Sequence, residues 1–143
     1  MRDPQTSRQY TGQCHCGAVQ FSIHSNLAEF TTCDCSLCAM RGALMVKVPE
    51  ADLKIDQGKD ALTLYQWNMK IARHYFCKSC GIYVLHNKRA APDHYGVNVR
   101  TLMGVADTDA PHRATKGDDM SVAAQGAQDH WPGPRVITNG KKP

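Results

Sequence analysis

The sequence predicts a mostly β fold built from short strands, and three observations support this prediction. Apolar and polar residues alternate over several segments of about five residues, which is the pattern of a half-buried strand. Turn-forming residues separate these segments, as in the QGKD between LKID and LTLYQW. No amphipathic segment of about ten residues or more has the spacing of a helix.

The predicted strands follow one another in chain order. AVQFSIHS alternates, with Val19, Phe21 and Ile23 on one side. ALMVKV is a short apolar run that ends at Pro49, because proline has no amide proton for a continuing ladder. A short helical turn is expected at PEAD. The later strands are LKID, LTLYQW, IARHYF, IYVLH and YGVNVRTL.

Composition divides the chain into a leader, one domain and a tail. The 143 residues are the size of one ordinary domain. We expect residues 1–9 to form a polar leader and residues 10–105 to form one β domain, which holds every cysteine and is the predicted zinc-binding domain for the reasons given below. Residues 106–143 are rich in Pro and Gly and poor in large apolar groups. We expect them to form an irregular tail that packs on the domain or extends from it.

Charge and hydropathy exclude some classes of function. The net charge of +4 counts every cysteine as neutral, whereas seven thiolates bound to two Zn²⁺ would leave about +1. Lysines and arginines are dispersed, so a nucleic-acid surface is not expected. The sequence has no secretory apolar region and no apolar run long enough to span a bilayer. A cytoplasmic protein is therefore expected.

The seven cysteines lie in three motifs, CHC, CDCSLC and CKSC. In a reducing cytosol such clusters are more often metal ligands than disulfides, and an odd count fits a disulfide framework poorly. Gly17 and Gly81 follow two of the motifs and can take the positive φ of a tight knuckle. Two such pairs match a closed tetrahedral structural zinc site. Its predicted ligands, called the quartet below, are Cys14, Cys16, Cys77 and Cys80.

The remaining cysteines, Cys33, Cys35 and Cys38, are called the trio below. Catalytic zinc keeps three protein ligands and one open position, so the trio is the predicted catalytic site. Two alternatives stay open. The pair Cys35 and Cys38 could be a redox-active dithiol, or a histidine could complete a second closed site. The candidates for that histidine are His15, His24, His74 and His86.

Longer segments around these motifs resemble a known family. GQCHCGAVQFSI, CDCSLCAMRG and HYFCKSCGIYVLHN, followed by VNVRTL, resemble the glutathione-dependent formaldehyde-activating enzyme family, which also includes centromere protein V. The resemblance covers about residues 8–105. It implies an Mss4-like fold, a β-tent of antiparallel sheets with zinc knuckles. It also implies two zinc ions, a structural one on the quartet and a catalytic one on the trio that can be empty.

The resemblance implies carbon–sulfur lyase chemistry on S-hydroxymethylglutathione, the adduct of glutathione and formaldehyde. A thiol bound to zinc is deprotonated. Because three thiolates already give the zinc site a charge of −1, thiol transfer is favoured over water activation. The implied partners are glutathione, or a related small thiol, and an aldehyde. The alternative hypothesis is a non-catalytic two-zinc module that binds protein or nucleic acid.

Other polar residues near the motifs have simpler interpretations. His74 and Tyr75 are candidates for proton transfer, but alternation across a strand, with one side chain packed and one solvated, is preferred. Arg73 and Arg100 are candidates for pairing with a glutathione carboxylate, but exposed solvated charges are preferred.

Overall fold

The computed structural model describes residues 6–33, 36–66, 72–88 and 93–115. These residues form ten strands, one short helix and four 3-10 turns, so the mostly β prediction is confirmed. The strands are β1 (Arg8–Gln13), β2 (Gln20–Ser25), β3 (Phe30–Cys33), β4 (Met45–Pro49), β5 (Leu53–Gln57), β6 (Leu62–Tyr65), β7 (Arg73–Cys77), β8 (Tyr83–Asn87), β9 (His94–Asn98) and β10 (His112–Thr115). The helix is α1 (Ser36–Arg41), and the turns are Glu50–Asp52, Lys59–Ala61, Val99–Thr101 and Asp107–Asp109.

The strands form two sheets. The smaller has the order β1-β2-β5, and the larger has the order β10-β3-β4-β9-β8-β7-β6. Within the described residues every strand pair is antiparallel except β10 and β3, which run parallel. Phe21 and Ile23 of the small sheet belong to the same buried cluster as Val46, Val48 and Val97 of the large one. The main core therefore lies between the two sheets.

The pairing register separates the two faces of the large sheet. Paired residues share a face, and successive residues alternate. Val46 pairs with Val97, and Val97 pairs with Leu85, and all three belong to the main core. We call this the inner face. Lys47 and His86 both pair with Gly96 on the opposite side, which we call the outer face.

Two of the predicted strands end earlier in the structure, and β1, β3 and β10 were not among the predicted strands. YGVNVRTL was expected to be one strand, but β9 ends at Asn98 and a 3-10 turn follows. The cause is local, because the Asn98 side chain accepts a hydrogen bond from the N–H of Arg100 at 3.1 Å. The predicted strand LTLYQW ends at Tyr65, and Trp67 lies outside the described residues.

Residues 106–115 of the predicted tail contain the turn at Asp107–Asp109 and strand β10. Residues 1–5 and 116–143 of the predicted leader and tail lie outside the described residues. The division into leader, domain and tail therefore stays a prediction. Helix α1, the only helix in the described ranges, has six residues and is too short to cross a bilayer.

We expect the substitution Gly58→Ala to destabilise the fold more than Gly104→Ala. Both glycines have positive φ, +82° and +72°, which alone costs an alanine about 1 kcal/mol. A Cβ on Gly58 would also collide with the Ala18 carbonyl, whereas one on Gly104 meets nothing within 4 Å. Urea unfolding should show a loss of about 3 kcal/mol for the first variant. Equal losses would contradict the close packing at Gly58.

Candidate metal centre

The predicted quartet comes from two strand-connecting turns, one in each sheet. Cys14 and Cys16 lie between β1 and β2 of the small sheet. Cys77 ends β7, and Cys80 lies between β7 and β8 of the large sheet. The cluster therefore joins the ends of the two sheets.

The four sulfur atoms of the quartet are close enough to share one metal ion. All lie within 4.8 Å of one another, with 3.6 Å between Cys14 and Cys16 and 3.7 Å between Cys16 and Cys77. Zinc–sulfur bonds of about 2.3 Å in a tetrahedron place neighbouring sulfurs about 3.8 Å apart. The donor set and the spacing therefore fit a tetrahedral metal such as zinc.

Backbone N–H groups point at the buried sulfurs of the quartet. The N–H of Val19 donates to Cys14 Sγ at 3.3 Å, and that of Ser79 donates to Cys77 Sγ at 3.4 Å. Cys14 and Cys77 are fully buried, Cys80 is half-buried and Cys16 is exposed. The glycines that follow both pairs have positive φ, +80° and +76°, which explains why glycine stands there.

Hydrogen bonds arrange the quartet to hold negative charge. The N–H of Ile82 lowers the pKa of Cys80 to about 6. Burial acts to raise the pKa of Cys14, but hydrogen bonds to its sulfur outweigh burial and lower the pKa. The N–H of Ala18 acts to lower the pKa of Cys16, yet the neighbouring thiols, Cys14 foremost, raise it to about 11. A cation among the four sulfurs would relieve the repulsion that raises this pKa.

Two members of the predicted trio lie elsewhere, on the outer face of the large sheet. Cys38, in α1, is buried in a second cluster with Ala43, Met45 and Tyr83, and Cys33, at the end of β3, packs against that cluster. Cys35 lies outside the described residues. The structure thus brings Cys33 and Cys38 into one environment, separate from the quartet.

The structure shows where the four histidines lie that were candidates for completing a second metal site with the trio. In the described part of the chain, no histidine joins Cys33 and Cys38 in a group that could hold a metal. His15 and His24 are both exposed; His15 lies in the turn between β1 and β2, and His24 lies in β2. His86 contacts the Tyr83 hydroxyl through Nδ1 at 2.6 Å. The fourth histidine, His74, stacks on His86 with 5.0 Å between ring centroids.

Arg41 connects Cys38 with these rings. Its Nη2 donates to Cys38 Sγ at 3.8 Å and lies 3.3 Å from Nδ1 of His74. Its guanidinium also lies over the Tyr83 ring, 3.7 Å from the centroid, as a cation–π contact. Sequence reasoning did not identify Arg41, although a basic residue three positions after a cysteine in a helix lies on the same face.

The four polar residues considered with the motifs have distinct environments. His74 and Tyr75 alternate as predicted: His74 is buried on the outer face, and Tyr75 is half-buried against the main core rather than fully solvated. Arg100 is bound to the Asp107 carboxylate at 3.1 Å and to the Gly42 carbonyl at 2.7 Å. Arg100 therefore links the loop after α1, through Gly42, to Asp107. Arg73 is exposed.

A cavity of about 520 Å³ adjoins Cys38, and we call it the apolar pocket. Leu37 and Arg41, which flank Cys38 in α1, line it, as does Tyr83, which packs against Cys38. Its other apolar walls are Ala43, Tyr65, Phe76 and Ile82.

A second cavity of about 460 Å³, the cationic pocket, adjoins Cys33. Its walls include Lys47, Lys88, Arg113, Thr31 and Thr115. Thr115 pairs with Cys33 across β10 and β3. Burial lowers the pKa of Lys88, while the negative charges of Cys38 and Cys33 act in the opposite direction. Lys88 therefore lines the pocket and is near enough to both thiols to interact with their charge.

Comparison with known proteins agrees with this architecture. Residues 9–120 match the family described as "Glutathione-dependent formaldehyde-activating enzyme". The solved structures that resemble this chain include a Rhodobacter sphaeroides protein studied by structural genomics. It shares 41% identity, with a TM-score of 0.67, over 72% of this chain and 99% of that one. The family match continues past residue 105 and includes β10.

We expect Cys77→Ser to lose the metal of the quartet and to unfold the domain. Binding of a structural zinc contributes about 10–16 kcal/mol in small zinc domains, which equals or exceeds the stability of an ordinary domain. Metal content by mass spectrometry and circular dichroism measure the two effects. Ser79→Ala, in the same turn, keeps all four sulfurs and should behave as the wild type. A folded Cys77→Ser protein with unchanged metal content would contradict the assignment.

Proposed function

Because this chain belongs to the glutathione-dependent formaldehyde-activating enzyme family, we propose that it is a zinc-dependent enzyme of the carbon–sulfur lyase type. Its substrates are glutathione, or a related thiol, and formaldehyde or another small electrophile. The forward reaction adds the S–H bond of the thiol across the aldehyde C=O, and the reverse reaction breaks the new C–S bond. One observation carries the proposal: Cys33 and Cys38 lie together, away from the quartet, beside a cationic pocket and an apolar pocket.

In this proposal the two cysteine groups have different roles. The quartet holds a structural zinc, for which its four sulfurs have suitable spacing. Cys33, Cys35 and Cys38 hold the catalytic zinc. When bound there, zinc would lower the pKa of a thiol in its open position, so that glutathione reacts as a thiolate.

The cationic pocket supplies the binding site for the carboxylates of glutathione. Lys88 follows the end of β8, Lys47 lies in the middle of β4, and Arg113 lies in β10. Arg113 is already paired with Glu29 at 2.9 Å, so the two lysines are the main donors. Because Lys88 is partly buried, solvent screens its attraction for a carboxylate less than at an exposed lysine.

Arg41 and His74 complete the chemistry on the side of the apolar pocket. The charge of Arg41 favours the thiolate form of Cys38, which is the form that binds metal. Arg41 also donates to Nδ1 of His74, so a neutral His74 carries its proton on Nε2. His74 lines the apolar pocket, and we assign to it the transfer of a proton to the oxygen of the adduct.

We expect the zinc-loaded protein to speed the exchange of formaldehyde between water and glutathione. Exchange NMR measures the rate of adduct formation directly. Cys38→Ser should lower the acceleration at least tenfold, because mutations that disturb a metal site commonly cost about 10–100-fold. The variant should stay folded and keep the quartet metal. A wild-type rate equal to that of buffer would remove glutathione–formaldehyde chemistry as the function.

We expect Lys88→Met to raise the KM for glutathione about tenfold with little change in kcat, because a hydrogen bond to a charged group contributes about 1.5–3 kcal/mol. Initial rates at varied glutathione concentration give both constants. Lys54→Met is the matched control, since Lys54 is an exposed lysine on the small sheet. An unchanged KM in Lys88→Met would show that glutathione binds elsewhere.

A further inference from the structure

The apolar pocket is much larger than formaldehyde requires. We infer that it receives an apolar organic group, about the size of a phenyl ring with a short linker, carried by the aldehyde. The substrates would then be glutathione adducts of bulky aldehydes. This inference rests on the proposed function and extends its electrophile from formaldehyde to larger, apolar aldehydes.

Size is the first argument. The cavity measures about 520 Å³. Formaldehyde has two heavy atoms and occupies roughly the volume of two water molecules, about 60 Å³. Cavities of roughly 300–1,000 Å³ are typical of sites for organic ligands of many atoms. A reaction of formaldehyde alone would leave most of the pocket unused.

The chemistry of the walls is the second argument. Apolar side chains from three elements face the cavity: Leu37 from α1, Phe76 from β7 and Tyr65 from β6. Tyr65 and Ile82 are 40% and 37% exposed, so their apolar surface gains from being covered by a ligand. Two arginines also line this cavity, but Arg41 contacts Cys38 and Tyr83. Arg100 is paired with Asp107, so the carboxylates of glutathione suit the cationic pocket better. The apolar pocket therefore suits the other half of the adduct.

Position is the third argument. Tyr83 and Ala43 line the pocket and also pack against Cys38. Arg41 lines the pocket and donates to the Cys38 sulfur at 3.8 Å. A group attached to the carbon that bonds to the substrate sulfur would therefore extend from the trio into this cavity.

The addition of the thiol to a larger aldehyde is balanced in atoms, electrons and protons. The S–H bond of the thiol breaks, a C–S bond forms to the carbonyl carbon, and the π electrons of C=O move to oxygen. The oxygen takes up one proton, so the product is a hemithioacetal and no oxidant or reductant is needed.

A binding experiment tests the pocket without turnover. S-(3-phenylpropyl)glutathione and S-methylglutathione are stable thioethers that differ only in the apolar group. Calorimetry on the zinc-loaded protein should show at least tenfold tighter binding of the larger compound, because its phenyl ring and methylene groups leave water when they enter the apolar pocket. Equal affinities would overturn the inference.

A matched pair of variants locates the site. Ile82→Trp places a larger side chain in the cavity and should abolish the preference for the larger thioether. Leu64→Trp makes a comparable change at an exposed apolar residue, since Leu64 pairs with Tyr75 on the opposite face of the sheet. It should keep the preference. Loss of the preference in both variants, or in neither, would overturn the assignment to this pocket.

Reaction rates with two aldehydes distinguish a failure of this inference from a failure of the proposed function. With glutathione, the acceleration over buffer should be about tenfold larger for 3-phenylpropanal than for formaldehyde, a discrimination that a hydrophobic pocket can supply. Acceleration of formaldehyde alone would overturn the inference and leave the proposed function intact. Acceleration of neither aldehyde would remove the proposed function, and the substrate class inferred from it would fall too.

Discussion

The meeting of four sulfur atoms from two sheets is the constraint on which the rest of the structure depends. Cys16 and Cys77 are 61 residues apart, yet their sulfurs lie 3.7 Å from each other. A metal bound there closes a long loop, and such a closure removes much of the entropy of the unfolded chain. It also fixes β7 and β8 at one end, and these strands carry His74, Tyr83 and His86.

In the large sheet, successive residues of a strand face opposite sides, so that one packs in the main core and the next lines a pocket. On β4, Val46 packs in the main core while Lys47 lines the cationic pocket. On β7, Tyr75 packs against the core while His74 lines the apolar pocket. A shift of one residue in either register would exchange these faces. The quartet, which holds the end of β7, therefore also protects the position of the outer-face residues.

Local signals in the sequence predicted seven of the ten strands, β2 and β4–β9, together with the quartet, because alternation and glycine-followed cysteine pairs operate within a few residues. The end of β9 was missed because one side chain, Asn98, caps the next turn. The parallel pairing of β10 with β3 joins segments 82 residues apart, from His112 to Phe30, and no local pattern encodes it. Lys88 was missed for the same reason, since only the fold places it near Cys33 and Cys38. Arg41 was missed because no helix was predicted over Ser36–Arg41, although it lies three residues after Cys38.

The different charges of the two substrates explain why one reaction would use both a cationic pocket and an apolar pocket. In the proposed function, a zinc held by Cys33, Cys35 and Cys38 as thiolates would carry −1, and a glutathione thiolate beside it would add a further negative charge. Lys88 and Arg41, both close to these thiols, can offset that charge. The aldehyde is neutral and needs no cation, so apolar walls can bind it without weakening the attraction for the thiolate. The wall beside Cys38 then selects the electrophile, and the lysines beside Cys33 select the thiol.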